Sequence, residues 1–300
     1  MGKINLMDIK PNKVVKNLSG YMTMIYGEPG VGKTTLASQI DRALIIDTEQ
    51  GANAIAGVMK VDVYTWNDVL QVVAQLRQPD VQKMFDVVVV DTVDELVFMA
   101  TQHVLQLNGI KALGDLGYGK GYTLLEDELR KVFNNITRYY GLLVIGHEQS
   151  RVDEDTDEKF ASLAVPNTAR KILNRMMDVI AYVESSRSGD AVMHYRATPD
   201  WEAKSRFRYI DETSEFSYEA FTSTIIEAIN KEIDSKGGEG RIVEKEQASN
   251  EMEFDGDIPA FFNDIEALKT ATNDAARELV TEKGQGMFSE VQLLVGQFLP

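Results

Sequence analysis

The stretch Gly27-Glu28-Pro29-Gly30-Val31-Gly32-Lys33-Thr34-Thr35 constrains this chain more than any other. An apolar run, Tyr21 to Tyr26, precedes it, and Leu36, Ala37 and Ile40 follow at helical spacing. A strand, a glycine-rich turn with the G-x-x-x-x-G-K-T spacing and then a helix predict a loop that cradles phosphate groups. The chemistry requires that order. Glycines free backbone N–H groups to surround a phosphate, and the helix N-terminus adds the positive end of its dipole. Lys33 then meets the β- and γ-phosphate oxygens of a nucleoside triphosphate, and the Thr34 hydroxyl takes one position on Mg²⁺. The alternative is a glycine-rich turn that matches by chance, and the strand and helix on its two sides disfavour it.

Three hundred residues with 44% hydrophobic content allow one large domain and an appendage around a proper core. No apolar run approaches the ~18 residues of a membrane span. Met1-Gly2-Lys3-Ile4-Asn5 carries no apolar secretory stretch, and the chain has no cysteine, so a cytoplasmic location is expected. The formal net charge is −16. A chain this acidic does not attract polyanions through its mean field, so any nucleic-acid contact must come from local basic loops.

Read in order, residues 1–19 form an N-terminal arm carrying Lys3, Lys10, Lys13 and Lys16. The patterning predicts strands at 22–26, 43–47, 61–64, 85–91 and 142–145. Helices are predicted from the loop to Arg42, over 66–76, over 93–107 and over 125–140. The runs 43–47 and 85–91 are continuously apolar, as expected of strands covered on both faces. The alternation predicts an α/β fold, a mainly parallel sheet with right-handed crossovers and flanking helices. Residues 108–121, punctuated by glycines, read as a mobile loop, and residues 148–168 as a polar one. A helix at 169–177, hairpin-like strands at 179–183, 191–197 and 207–210, and an amphipathic helix over 217–233 complete a core spanning 20–234. A flexible linker over 235–251 and a small acidic helical tail over 252–300 follow.

Asp91 ends an apolar strand in the position that holds Mg²⁺ opposite Thr34, and it also suits a cap for the helix at Val93. Many ATPases place a catalytic glutamate directly after that aspartate. Thr92 stands here, so the water-activating carboxylate sits elsewhere. Glu49, just past the strand ending at Asp47, is the strongest candidate, because ligands of an open parallel sheet bind at the carboxyl ends of its strands. Asp94 and Glu95 are rivals, although both fall in a helical first turn, where acids serve the dipole. His147 ends the following strand, where a polar group can feel a terminal phosphate and relay its presence. A surface imidazole at a strand end is the plainer alternative.

This order of motifs, a phosphate loop, a strand ending Asp47-Thr48-Glu49, Val-Val-Val-Asp91-Thr92-Val93 and a strand ending at His147, resembles the RecA/RadA family. It looks closest to the phage-encoded RecA-like ATPases that accompany single-strand annealing and recombination genes, over about residues 20–210. The resemblance implies a RecA-like P-loop NTPase core that takes ATP and Mg²⁺, with Asp91 and Thr34 on the metal and Glu49 orienting the attacking water. His147 stands where RecA proteins carry a glutamine. The segment Trp201-Glu202-Ala203-Lys204-Ser205-Arg206-Phe207 is similar to the Lys-x-Lys or Lys-x-Arg element that such subunits insert into a neighbour's site. Lys204 and Arg206 fall on one face of an extended segment, so both would reach the same γ-phosphate. A strand with snorkelling basic side chains is the alternative. The finger reading implies a homo-oligomer, filament or ring, in the cytoplasm of a bacterial host.

The same family lines its filament axis with two loops, which fall by position on 108–121 and 148–168. The first offers Lys111, Tyr118 and Lys120, with Tyr122 adjacent: cations and aromatic faces of the kind single strands prefer. The second offers Arg151 and Lys159 together with Asp153, Glu154, Asp155, Asp157 and Glu158, which repel phosphate and equally suit a solvated hairpin turn. In the tail, the stretch from Phe254 to Phe262 resembles the acidic tips by which bacterial single-strand-binding proteins recruit partners. A segment that competes with DNA for the basic loops is the favoured reading there. The expectation is a Mg²⁺-dependent ATPase that assembles on single-stranded DNA in phage recombination or annealing. A hexameric ring motor or helicase loader is the alternative enzyme, and a nucleotide-gated scaffold for a recombinase, a single-strand-binding protein or an annealing protein is the alternative without catalysis.

Overall fold

Val87, Val88, Val89 and Val90 are all buried, because helices cover both faces of the sheet they occupy. The computed structural model describes residues 17–152, 157–185 and 190–235. Residues 1–16 of the arm, the linker beyond Ser235 and the tail expected over 252–300 lie outside the described residues. The strands are β1 (Met22–Gly27), β2 (Ala43–Asp47), β3 (Lys60–Asp62), β4 (Val87–Asp91), β5 (Gly141–Val152), β6 (Lys159–Leu163), β7 (Val179–Ser185), β8 (Ala191–His194), β9 (Lys204–Ser205) and β10 (Thr213–Glu215). The helices are α1 (Lys33–Ala37), α2 (Trp66–Gln75), α3 (Pro79–Gln82), α4 (Val93–Asn108), α5 (Lys120–Thr137), α6 (Asn167–Met176) and α7 (Tyr218–Ser235).

The sheet runs β10-β8-β7-β1-β5-β4-β2-β3, with β6 on β5 and β9 on β7. Every pairing from β7 across to β3 is parallel, and β8, β10, β6 and β9 are antiparallel additions. Alternate residues therefore face opposite layers. Met24, Tyr26, Val88, Val90, Leu142 and Val144 pack with α2, α4, α5 and α6. Ile25, Val87, Val89, Leu143, Ile145 and Val183 pack with α1 and α7. Among the described residues no helix is long and apolar enough to cross a membrane.

Several elements depart from the sequence expectation for local reasons. The helix after the loop ends at Ala37 rather than Arg42. The Ser38 hydroxyl and the Gln39 side-chain amide donate to the Thr35 carbonyl at 2.7 and 3.3 Å, and Arg42 adopts φ 51°. The expected loop 108–121 is partly ordered by Asp115, whose carboxylate accepts from the amides of Lys111 at 3.0 Å and Ala112 at 2.8 Å. A 3₁₀ turn at Leu113–Leu116 results. It packs against Gly121, where a Cβ would lie 2.2 Å from the Leu113 carbonyl, and α5 already begins at Lys120. The expected polar loop 148–168 is largely a hairpin, with Glu148 to Val152 paired against Leu163 to Lys159. Of its acidic run, 153–156 lie outside the described residues. The strand expected at 207–210 is a turn, and the pairing residues are Lys204 and Ser205 instead.

Where β1 becomes the phosphate loop it runs so close to β7 that Gly27 admits no side chain: a Cβ there would lie 2.6 Å from the Val183 carbonyl oxygen. Gly27→Ala is expected to cost about 1–3 kcal/mol, since the obstacle is backbone and cannot rotate away. A lowered urea midpoint checks this, and an unchanged midpoint would show that the two strands separate freely.

Candidate functional site

The sheet register brings the tips of four strands into one row. Gly27 of β1 lies beside His147 of β5, Ile145 of β5 beside Asp91 of β4, and Asp91 beside Asp47 of β2. Each chemical group then follows from its strand end. After β1 the chain turns through Glu28, Pro29, Gly30, Val31 and Gly32. Gly30 and Gly32 take φ of 81° and 102°, a backbone that side chains resist. Gly30 is exposed, and a Cβ on it would meet nothing within 4 Å, so only its backbone conformation calls for glycine. Lys33, the first residue of α1, is buried, and its Nζ donates to the carbonyls of Gly27 at 3.0 Å and Glu28 at 2.7 Å. Burial pulls this amine below its ordinary value, against the charges of Asp91, Asp94, Glu148 and Glu49. The Glu28 side chain is tied to β7 by the Ser185 hydroxyl at 2.5 Å, and Thr35 is exposed.

Thr34 donates its hydroxyl to Asp91 Oδ2 at 2.6 Å. Burial pushes the Asp91 carboxyl up, the Thr34 bond resists, and the carboxylates of Asp47 and Glu49 add to the rise. A hydroxyl beside a desolvated carboxylate is a hard oxygen pair that a divalent cation would charge-balance. Together with the glycine cradle and the buried ammonium, this donor set fits a triphosphate carrying Mg²⁺.

The neighbouring tips hold two linked carboxylates. The Thr92 hydroxyl donates to Glu49 Oε1 at 2.8 Å, and the Thr92 amide donates to the Thr48 hydroxyl at 2.7 Å. Thr48 in turn gives its amide to the Asp91 carbonyl at 2.7 Å, so β2 and β4 are laced together beyond their ladder. Asp47 accepts from the amides of Gly51 and Ala52, both at 3.1 Å, which fixes the turn that carries Glu49. His147 Nδ1 lies 2.8 Å from Asp94 Oδ2 and 3.9 Å from Glu49 Oε1. Glu49, Asp94 and His147 thus hold ligand-type atoms within 4.8 Å of one another, a spacing their hydrogen bonds account for. Burial pushes the Glu95 carboxyl up, reinforced by the charges of Glu49 and Asp94.

Sequence reading missed Thr48 and Thr92 as functional groups and gave Asp94 only a dipole role or that of a rival base. The signal available was Thr92 itself, standing where a catalytic glutamate is common.

Lys204 and Arg206 are both hydrogen-bonded within the chain, and about half of the Arg206 side chain, 49%, stays exposed. They sit at the opposite, amino edge of the sheet, where β9 pairs with the first residues of β7. Lys204 Nζ donates to the carbonyls of Asn174 at 2.5 Å and Met177 at 2.9 Å. Arg206 donates to the Arg175 carbonyl at 2.6 Å and to Asp178 Oδ1 at 2.8 Å, and Asp178 Oδ2 accepts from the Met22 amide. The carbonyls at the end of α6 lack helical partners and draw both cations in. To act on a neighbouring subunit's γ-phosphate, either side chain would exchange these bonds.

Arg151 is likewise engaged within the chain, by Asn167 Oδ1 at 2.7 Å and the Val165 carbonyl at 2.6 Å, where it ties β5 to the start of α6. To meet a DNA phosphate, the guanidinium would exchange these partners. Lys111, Tyr118 and Lys120 are exposed on the α4–α5 connection. Nearby in the chain, a groove between α5 and α6 is lined by Tyr122, Thr123, Lys171 and Arg175, among others.

The profile of the AAA domain matches residues 19–207 of the chain. The SPbeta prophage-derived uncharacterized protein YorG of Bacillus subtilis (strain 168) is similar to it, 25% identical over 304 residues, which cover 94% of this chain and 90% of that protein.

Proposed function

We propose, for a chain that belongs to the AAA domain family, that the row of strand tips hydrolyses ATP with Mg²⁺ and does so on single-stranded DNA. The observation that carries the reading is the convergence of Lys33, the Thr34–Asp91 pair and the Thr92-anchored Glu49 at one edge of the sheet. Lys33 leaves its two loop carbonyls to meet phosphate oxygens, and the backbone of 30–34 surrounds them. Thr34 and Asp91 would hold the cation, which when bound polarises the phosphate oxygens and offsets their charge. Glu49 keeps Oε1 on the Thr92 hydroxyl, which leaves Oε2 to accept a proton from water. His147 supplies a second polar group beside the loop.

The DNA half of the reading is supported by exposed Tyr118, Lys111 and Lys120 and by the groove bearing Lys171 and Arg175. These are local cations and aromatic rings on a chain of net charge −16, with Glu126 the one acidic side chain among the groove's lining residues. Similarity to a prophage-derived protein supports a phage origin, while a place in phage recombination or annealing, in the cytoplasm of a bacterial host and beside a phage single-strand-binding or annealing protein, rests on the RecA resemblance. Assembly as a homo-oligomer, filament or ring, rests on the RecA resemblance, with Lys204 and the half-exposed Arg206 as the cations a subunit would offer its neighbour.

The test is ATP turnover at low salt with and without a single-stranded oligonucleotide. Stimulation supports the reading, and equal turnover overturns its DNA half. Tyr118→Ala is expected to weaken oligonucleotide binding by about 5- to 150-fold, the ~1–3 kcal/mol of one stacked base. Lys120→Ala should flatten the salt dependence of log affinity by about 0.7 for its single cation. Fluorescence anisotropy over a salt series reads both. Affinity and slope unchanged in both variants would remove this surface from the interface.

A further inference from the structure

Asp94 is placed in the sequence like an acid serving the dipole of α4, and the structure gives it a more specific task. Its Oδ1 accepts the His147 backbone amide at 3.2 Å while its Oδ2 meets His147 Nδ1 at 2.8 Å. One carboxylate thus holds both the main chain and the ring of the same residue, and it does so from a different element. A ring that gives its Nδ1 proton to a carboxylate keeps Nε2 for other partners. Here Nε2 makes no hydrogen bond with any described residue, and 25% of the side chain stays accessible. The ring stands next to Gly27 in the strand register. The charged groups that face it are Asp94 from α4, Lys33 from α1 and Glu49 from the turn after β2.

We propose that Asp94 is the positioning residue of His147: its carboxylate fixes the Nδ1–H form of the imidazole and leaves the Nε2 edge to the anion held by the phosphate loop. The proposal rests on the reading of that loop as a triphosphate site. The Asp94 bond, against burial and the like charge of Lys33, holds His147 above its ordinary imidazole value. Burial works against Asp94 as a carboxylate, but the hydrogen bond and charge of His147 outweigh it and hold its carboxyl below the ordinary range. The pair is therefore an ion pair over the interval between the two displaced values. Its stabilising effect on the histidine side is fully present below about pH 6.5 and is lost as pH rises through the raised His147 value. On the aspartate side it is present above the ordinary carboxylate value and lost as pH falls through the lowered one. With its Nε2–H available, the ring can donate a charge-assisted hydrogen bond to a phosphate oxygen.

The experiment is a long-range ¹H–¹⁵N correlation titration of the full chain without nucleotide. Only three histidines are present, so His147→Gln identifies the signal of interest. The expected result is a neutral His147 in the Nδ1–H form that titrates above about 6.5, with Asp94→Asn lowering the midpoint to about that ordinary value. A Nε2–H form, or a midpoint that Asp94→Asn does not move, overturns the proposal. Turnover supplies a second arm that does not depend on the spectrum. Asp94→Asn added to His147→Gln should cost no more than His147→Gln alone, because the two act as one unit. Fully additive losses would overturn the positioning role. Failure of the loop reading would show differently, as ATP binding retained by Lys33→Ala, and it would leave the imidazole result in place.

Discussion

Glu49→Gln is expected to bind Mg²⁺ and ATP as the native chain does and to lose hydrolysis by about 10²- to 10⁴-fold, the usual contribution of a general base. The geometry separates the two effects. Glutamine keeps a carbonyl oxygen that can accept the Thr92 hydroxyl bond, which Glu49 Oε1 now takes at 2.8 Å, so the side chain keeps its place. What disappears is the second carboxylate oxygen and its basicity. Neither rival base is as well situated. Asp94 is committed to His147 through both of its oxygens. Glu95 is pushed toward its neutral form by burial and by its acidic neighbours. Filter binding of labelled ATP and release of phosphate, measured on one preparation, check the prediction. Unchanged turnover would transfer the base role to Asp94 or Glu95.

Lys33→Ala is expected to weaken nucleotide binding by about 10²-fold or more, the equivalent of one or two charge-assisted hydrogen bonds at about 1.5–3 kcal/mol each. The substitution leaves the fold standing. The amine is a buried cation whose burial already disfavours its charge, and its present partners are the loop carbonyls of Gly27 and Glu28. Removing the charge together with its desolvation cost offsets much of what those two bonds contribute. Isothermal titration with ATP beside a far-ultraviolet melting curve separates lost affinity from lost structure. A folded Lys33→Ala protein with native affinity would remove the phosphate-loop assignment.

What could be seen in the sequence was whatever depends on residue order along one strand. The glycines at 27, 30 and 32 with Lys33 and Thr34 define their loop locally, and the apolar runs before Asp47 and Asp91 announce strands buried on both faces. Placing Glu49 near Asp91 needed only the rule that parallel strands share a carboxyl edge. The lateral bonds were not visible, because they depend on register between strands far apart in the chain. Thr92 to Glu49, Thr48 to Thr92 and Asp94 to His147 all join different elements. Lys204 and Arg206 show the same limit. Their spacing suits a finger, but it does not tell of the two-residue strand that pairs with β7 or of the carbonyls at the end of α6 that both side chains meet. Arg151 is alike, since its place in the sequence does not tell that the hairpin brings its guanidinium to Asn167 and Val165.

In the proposed function Glu49, rather than Asp94 or Glu95, faces the water that attacks the terminal phosphoryl group. The most direct measurement is a crystal structure of the Glu49→Gln protein trapped with Mg²⁺ and ATP. The expected density shows residue 49 hydrogen-bonded both to the Thr92 hydroxyl and to a water in line with the γ-phosphate, with Thr34 and Asp91 at the cation. A water held instead by Asp94 or Glu95, with residue 49 turned away from the triphosphate, would contradict it.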